Sequence, residues 1–541
     1  MQIGNIKPIA AALGVAFALA LPAAASAETT FCVNASGCVG TQIATPQAAL
    51  DAAKANPGDD IVQLGRTLSG YPGPLVYDDP SPDNNVTLRG FGSEATGVVP
   101  QPFTPTTVEL ASGSTVEDLT IAAPNLASGG TGLLLHGGDA RRVRISYEGT
   151  SLDTKGLVVD GSAQLTELRI EMVTGAAITV QGTGVVVDGF DVFARGRYGV
   201  RVEHGAKLEL ERARIWARSV GAVASGSAAP AEKSRLMMRN AELLTYGAGA
   251  DGIVGMSSSD VRAQYVTALH LGPGGGTGLT TRAIAGASQA VLANSVIDGF
   301  EEHSLERQGV SPYAAQLFLV HSSFDPTTAL IGPGQGLGGT SEQANIFAPD
   351  PMFVDRPLLE PTEAHDLRLR PGSALVDAGT ESSGDIAFDF EKLDRVTDGN
   401  GDGVELPDIG AHELQPQPVG GGTTGGGDTG GTGGTGGTGA QEGGTAPMTD
   451  TLAPALSGVR AGVRRARFHL TEQAQVTLRL KRRGTRRVRV LRMSGAAGAN
   501  RISFRRRARR LRAGRYRLAV RAVDSAGNRS SATVLRFRVP R

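Results

Sequence analysis

A short pattern of apolar positions, apolar-x-x-apolar-x-apolar with loose ends, returns along the middle of the chain. It reads VEDLTI ending at Ile121, ARRVRI at Ile145, LTELRI at Ile170, GFDV at Val192, ERARI at Ile215 and NAEL at Leu243, with fainter copies at Val266, Val296 and Phe324. Successive endpoints are 22 to 30 residues apart. A second series of the same period falls between these copies, at residues 133–135, 157–159, 178–180 and 200–202, and continues in GAVASG and GIVGM. Two registered series predict the coils of a β-solenoid, because one coil cannot bury its apolar residues alone and stacked coils share a core.

Period-two alternation assigns the faces. Val200 and Val202 point inward and Arg201 outward; Leu165, Leu168 and Ile170 point inward and Arg169 outward. Gly161, Gly182 and Gly205 supply tight corners. An α-solenoid of this period is excluded, since the segments are too short and too rich in Gly and β-branched residues. Ahead of the coils, Thr45 as N-cap, Pro46 at the first helical position and a stop at Pro57-Gly58 predict one helix over 47–56, with Ala48, Leu50 and Ala53 on its buried face. Such a helix would cover the open strand edges of the first coil.

After residue 414 the pattern changes. Residues 415–449 are a Gly/Thr-rich linker that cannot form a packed core. Residues 450–541 alternate again, with Tyr516, Leu518, Val520 and Ala522 inward against Arg515, Arg517 and Arg521, and Leu535, Phe537 and Val539 inward against Arg536 and Arg538. Val488 and Val490 sit likewise between arginines, and Asp524 to Asn528 form a hairpin turn. About six strands in this length predict a small β-sandwich.

Composition sharpens this picture: 75 glycines and one tryptophan describe a turn-rich all-β chain. Net charge is zero, but residues 450–541 carry 26 basic and 3 acidic side chains, leaving 27 basic and 50 acidic elsewhere. That segregation, near +23 against −23, suits the C-terminal part to polyanions. Residues 1–27 have one charge, Lys7, an apolar run from Ile9 to Pro22 too short for a bilayer, and Ala25-Ser26-Ala27 at their end. This predicts a signal peptide cleaved after Ala27 and a mature chain without a transmembrane segment. In an oxidising compartment the lone pair Cys32 and Cys38 is expected to form a disulfide closing a short loop.

The coil motifs, the start AALDAAKANPGDDIVQLG at residues 48–65 and a closing segment resemble the secreted bacterial right-handed parallel β-helix proteins of the pectate-lyase-like superfamily. The closing segment reads NIFAPDPMFVD (345–355), DLRLRPGSALVDAG (366–379) and DFEKLDRVTDGNGDGVELPDIGAHE (389–413). The resemblance spans residues 28–414 and implies about 9–11 coils. GRYRLAVRAVDSAGNRS resembles the final hairpin of bacterial immunoglobulin-like or fibronectin-III-like modules.

Two groups of residues are candidates for chemistry. Asp398-Gly399-Asn400-Gly401-Asp402-Gly403 matches the first six positions of a calcium loop, with the Val404 carbonyl next. Ile409 replaces the twelfth-position carboxylate, so Asp408 or Glu405 would substitute. Superfamily lyases abstract a proton α to a carboxylate with an Arg or Lys base while acidic side chains hold calcium, so the resemblance directs attention to an acid, base and cation cluster. Asp160, Glu203, His204, Arg201 and Arg197 form the best such cluster, beside His136 and Gln181 just ahead of the coil corners. Arg144, Arg169, Asp191, Arg214 and Glu242 form an outward ladder on the other series, which Asp118 and Glu167 help to balance. No GxSxG elbow, zinc-ligand spacing or phosphate loop is present.

The expectation is a monomeric, secreted or cell-surface β-helix protein that engages polysaccharide, with Ca²⁺ as the one cofactor. Its basic domain would attach to an anionic surface polymer rather than to nucleic acid. A polysaccharide lyase or hydrolase and a structural adhesin are the alternatives.

Overall fold

The structure, a computed structural model, describes residues 28–416 except 68, 80, 82–83, 227–232 and 382–385, together with strands within 454–539. The leader, nearly all of the linker and the turn at 524–528 lie outside the described residues. The chain divides into two compact units, one up to Pro416 and one from Gln417. No helix among the described residues is long and apolar enough to cross a membrane.

The first unit is a right-handed parallel β-helix of about 11 coils, built from 28 strands in continuous parallel register. The second strand series stacks Leu133 on Leu157, Ile178, Val200, Ala222, Ile253, Leu279 and Leu305. All are buried, so each coil hides its aliphatic side chain against the coils on either side. The first series stacks Ile121, Ile145, Ile170, Ala194, Ile215, Leu243, Ala268 and Ile297. Three expected endpoints are therefore displaced. Ala194 and Ala268 hold the places read as Val192 and Val266, and Ile297 the place read as Val296. Alanine is a weak pattern signal, yet both alanines are fully buried.

The coils turn at a column of left-handed residues three positions before each of these inward residues. Asp118, Arg142, Glu167, Asp191, Arg212, Asn240, Tyr265 and Asn294 have φ between 46° and 60°. Most carry the short polar or charged side chains that meet neighbours at a corner. Asp118 accepts from Arg142 at 2.6 Å and Asp191 from Arg212 at 2.8 Å, so opposite charges on adjacent coils compensate one another. This geometry removes Asp191 from the expected outward ladder: Phe193 lies between Arg169 and Arg214, and Asp191 stands at the corner.

The helix Pro46–Ala55 caps the solenoid, with Thr45 accepting from the Ala48 N–H. Pro46, Ala49, Leu50 and Ala53 are buried; Ala48 is exposed, and Ala49 takes the inward place assigned to it. Cys32 and Cys38 are disulfide-bonded beside this cap.

The closing segment folds back over the side of the coils. Its antiparallel pair Phe353–Asp355 and Asp366–Leu369 helps to build a second core outside the solenoid, in which Trp216, Leu244, Leu269 and Val296 pack against Phe353, Leu367, Leu369, Leu375 and Ile409. Val296 is thus apolar because it faces this outer core. The corner column is its docking rail: Asn240 donates to the Phe388 carbonyl at 2.7 Å, and Asn294 donates to the Thr380 carbonyl at 2.8 Å.

In the second unit, Leu456–Ala461, Arg465–Leu470 and Gly498–Ser503 form one antiparallel sheet. Val488–Gly495, Ala474–Arg482, Gly514–Val523 and Thr533–Val539 form another. Tyr516, Leu518, Val520 and Ala522 are buried, and Arg517 and Arg521 are exposed.

Candidate functional site

The residues expected to cluster before the corner glycines do share one face. Parallel register places His136, Asp160, Gln181 and Glu203 in a column, one per coil. At about 4.8 Å per coil, Asp160 and Glu203 are about 10 Å apart. His136 bridges Asp160 at 2.8 Å and Glu109 at 3.1 Å through its two ring nitrogens. Partial burial lowers the His136 pKa, but its hydrogen bonds and charge contacts with the two carboxylates outweigh burial and raise it above the ordinary value. Arg201 is ion-paired to Glu203 within its own strand. Arg197 and Arg201 flank the Tyr198 ring at 5.4 and 5.3 Å. His204 does not join the group: it is exposed at a corner with φ 55°. The face is polar and charge-compensated. It offers no unencumbered Arg201 to act as a base.

The expected calcium loop is an exposed turn whose side chains bind its own backbone. Asp398 accepts from the N–H groups of Gly401, Asp402 and Gly403, Asn400 from Asp402, and Asp402 from Val404. Asp408 is buried away from it, accepting from the N–H groups of Asp377 and Leu414.

Two groups escaped sequence reasoning. In the first, the closing segment carries two histidines onto a solenoid carboxylate. Glu242 is buried and accepts from His412 at 2.8 Å, His365 at 3.3 Å and Arg214 at 2.5 Å. Burial pushes its carboxyl up, but the hydrogen bonds of His365 and His412 and the positive charge of His412 and Arg214 prevail and hold it well below the carboxylate range.

The second group lines a groove of about 250 Å³ bordered by Arg144, Tyr147, Glu171, Arg195, Arg218 and Tyr246. Arg195 lies over the Trp216 ring at 5.8 Å and Arg218 over the Tyr246 ring at 5.6 Å, each ring belonging to the next coil. Arg144 is neutralised by Glu171 at 2.8 Å and Glu94 at 3.2 Å. Among the described residues neither Arg195 nor Arg218 has an ion-pair partner. Two guanidiniums braced on aromatic faces, with donors facing solvent, suit carboxylate or sulfate groups on a ligand. Arg195 aligns with Trp216 of the next coil, and Arg218 follows the aligned pair Gly196 and Ala217 where the register shifts, so neither falls on the ladder positions picked out from the sequence. The available signal was an Arg and an aromatic residue recurring across neighbouring coils.

No family model and no curated protein matches the sequence. Among solved structures, pectate lyase Pel9A is 12% identical with a TM-score of 0.36, covering 72% of this chain and 98% of its own. Escherichia coli ybhc is 13% identical with a TM-score of 0.26, covering 63% of this chain and 87% of its own. Likenesses this loose transfer neither a residue nor a reaction.

Proposed function

We propose that this chain is an exported β-helix protein that binds an anionic polysaccharide in the Arg195–Arg218 groove. The observation that supports the reading is the pair of guanidiniums on adjacent coils, set over Trp216 and Tyr246 and without an ion pair among the described residues. Their coils are about 4.8 Å apart and Arg218 is offset by two residues, about 6.6 Å, along the strand from the partner of Arg195, so about 8 Å separates the two Cα atoms and one oligouronate can reach both. The reading is one of binding, and the ion pairs that engage Asp160, Glu203 and Arg201 on the other face agree with it. The leader at 1–27 supports export, and the Arg-rich C-terminal part supports attachment to an anionic surface.

Calorimetric titration of the mature protein with an oligouronate and with a neutral glucan of equal length tests this. The oligouronate is expected to bind and the glucan not, with affinity falling as salt rises. Arg195→Ala and Arg218→Ala should each weaken binding about tenfold, or about 1.4 kcal/mol. Equal binding of both polymers, or unchanged affinity in the double variant, refutes the reading. Absorbance of unsaturated products, followed in the same samples, is expected to stay flat.

A further inference from the structure

We infer that Asp377, Asp408 and Glu413 hold a divalent cation of the calcium type, buried beneath the closing segment and separate from the surface loop that carries the sequence motif. The three carboxylates come from two stretches of the closing segment, Asp377 from VDAG and Asp408 and Glu413 from LPDIGAHE. One oxygen from each lies within 4.8 Å of the others. That is the reach of two calcium–oxygen bonds of about 2.4 Å across a single ion.

Charge supports the assignment. Asp377, Asp408 and Glu413 are buried, and a fourth buried carboxylate, Asp389, accepts from the Glu413 N–H at 3.0 Å. Arg395 is the guanidinium beside them, with its Nη1 at 3.4 Å from Glu413 Oε2. Four carboxyl groups packed beside one guanidinium put more acidic than basic side chains in a buried place, where an uncompensated ion is costly. Backbone N–H groups orient the set: Asp377 accepts from Gly399 and Asn400, Asp408 from Asp377 and Leu414, and Glu413 from Asp408. Each carboxylate oxygen so engaged keeps a second lone pair for a metal.

An independent observation points to the missing ligand. Glu413 Oε1 is sealed from solvent and has no hydrogen-bond donor among the described residues. A buried carboxylate oxygen without a donor calls for a partner, and an ion supplies it. Three hard oxygens with no thiolate or imidazole favour calcium over zinc. The surface loop then has a different part: its N–H groups at Gly399 and Asn400 pin Asp377, while Asp398 and Asp402 serve only the turn.

The test uses the full mature chain stripped with EGTA, titrated with CaCl₂ by calorimetry and unfolded thermally with and without CaCl₂. One equivalent of calcium is expected to bind and to raise the Tm. Asp408→Asn and Glu413→Gln should abolish both effects, and Asp402→Asn should keep both. In EGTA, Glu413→Gln is expected to melt close to or above the stripped wild type, since a neutral amide of the same shape replaces a buried carboxyl whose Oε1 has no donor among the described residues; this also shows that it folds. If that variant does not fold, the wild type and Asp402→Asn decide. A wild type that binds no calcium overturns the inference. So does loss of binding in Asp402→Asn, which places the ion in the surface loop.

Discussion

Replacing Glu242 by Gln cuts a buried electrostatic tie between the solenoid and its closing segment. The carboxylate is 1% exposed and bonded to Arg214, His365 and His412, the last two delivered from 123 and 170 residues away. A charge-assisted hydrogen bond contributes about 1.5–3 kcal/mol, and breaking one side of a buried ion network costs about 3–5 kcal/mol. The Gln carbonyl can still accept one bond, so we expect the lower end of that range, about 3 kcal/mol. In a solenoid each coil is stabilised by its neighbours, so the loss should appear as local opening of residues 345–414. Amide hydrogen exchange read at the Asp377 and Leu414 N–H groups, both bonded to Asp408, should accelerate about a hundredfold at 1.36 kcal/mol per decade. Amides in the column from Leu133 to Ile178 should not change. Unaltered exchange in the closing segment, or uniform acceleration along the whole solenoid, would refute the reasoning. The sign with pH follows from the depressed carboxyl: its stabilisation is complete above the unfolded value near 4.3 and is lost only as acid approaches the lower folded value. This tie should therefore survive mild acidification from pH 7 to about pH 5.

Two further outcomes are expected. His136 has a raised pKa, so its contribution is present below the unfolded value near 6.5 and fades as pH rises through the folded one. An NMR titration should place its imidazole above that reference and Asp160→Asn should lower it; an unshifted imidazole contradicts the pairing. At Gly199 an added Cβ would meet Ile215 Cγ2 at 2.3 Å and the Gly221 carbonyl oxygen at 2.5 Å, so Gly199→Ala should destabilise by about 1–3 kcal/mol in denaturant unfolding. A neutral result would mean that the coil has more room than these contacts allow.

Much of the fold was legible because a solenoid writes itself locally. An apolar side chain returning once per coil has one kind of place to hide, and period-two alternation then assigns Arg201 outward and Val200 and Val202 inward before any contact is known. The cap helix was equally local, resting on Thr45 and Pro46. Spacing also brought His136, Asp160 and Glu203 into one column, but it could not tell that His136 and Arg201 would neutralise the carboxylates beside them.

What the sequence alone determined is the repeating unit, the inward columns and the separation of a basic C-terminal part from an acidic body. Tertiary structure decided which side of the solenoid is covered. The closing segment folds back over Trp216, Glu242 and Val296, turning three outward residues into buried ones and collecting Asp377, Asp408 and Glu413 in one place. Periodicity reports each residue's relation to its own coil, whereas these contacts join segments more than a hundred residues apart or distinct loops of an irregular stretch. Their energies come from long-range packing, which leaves no period to read.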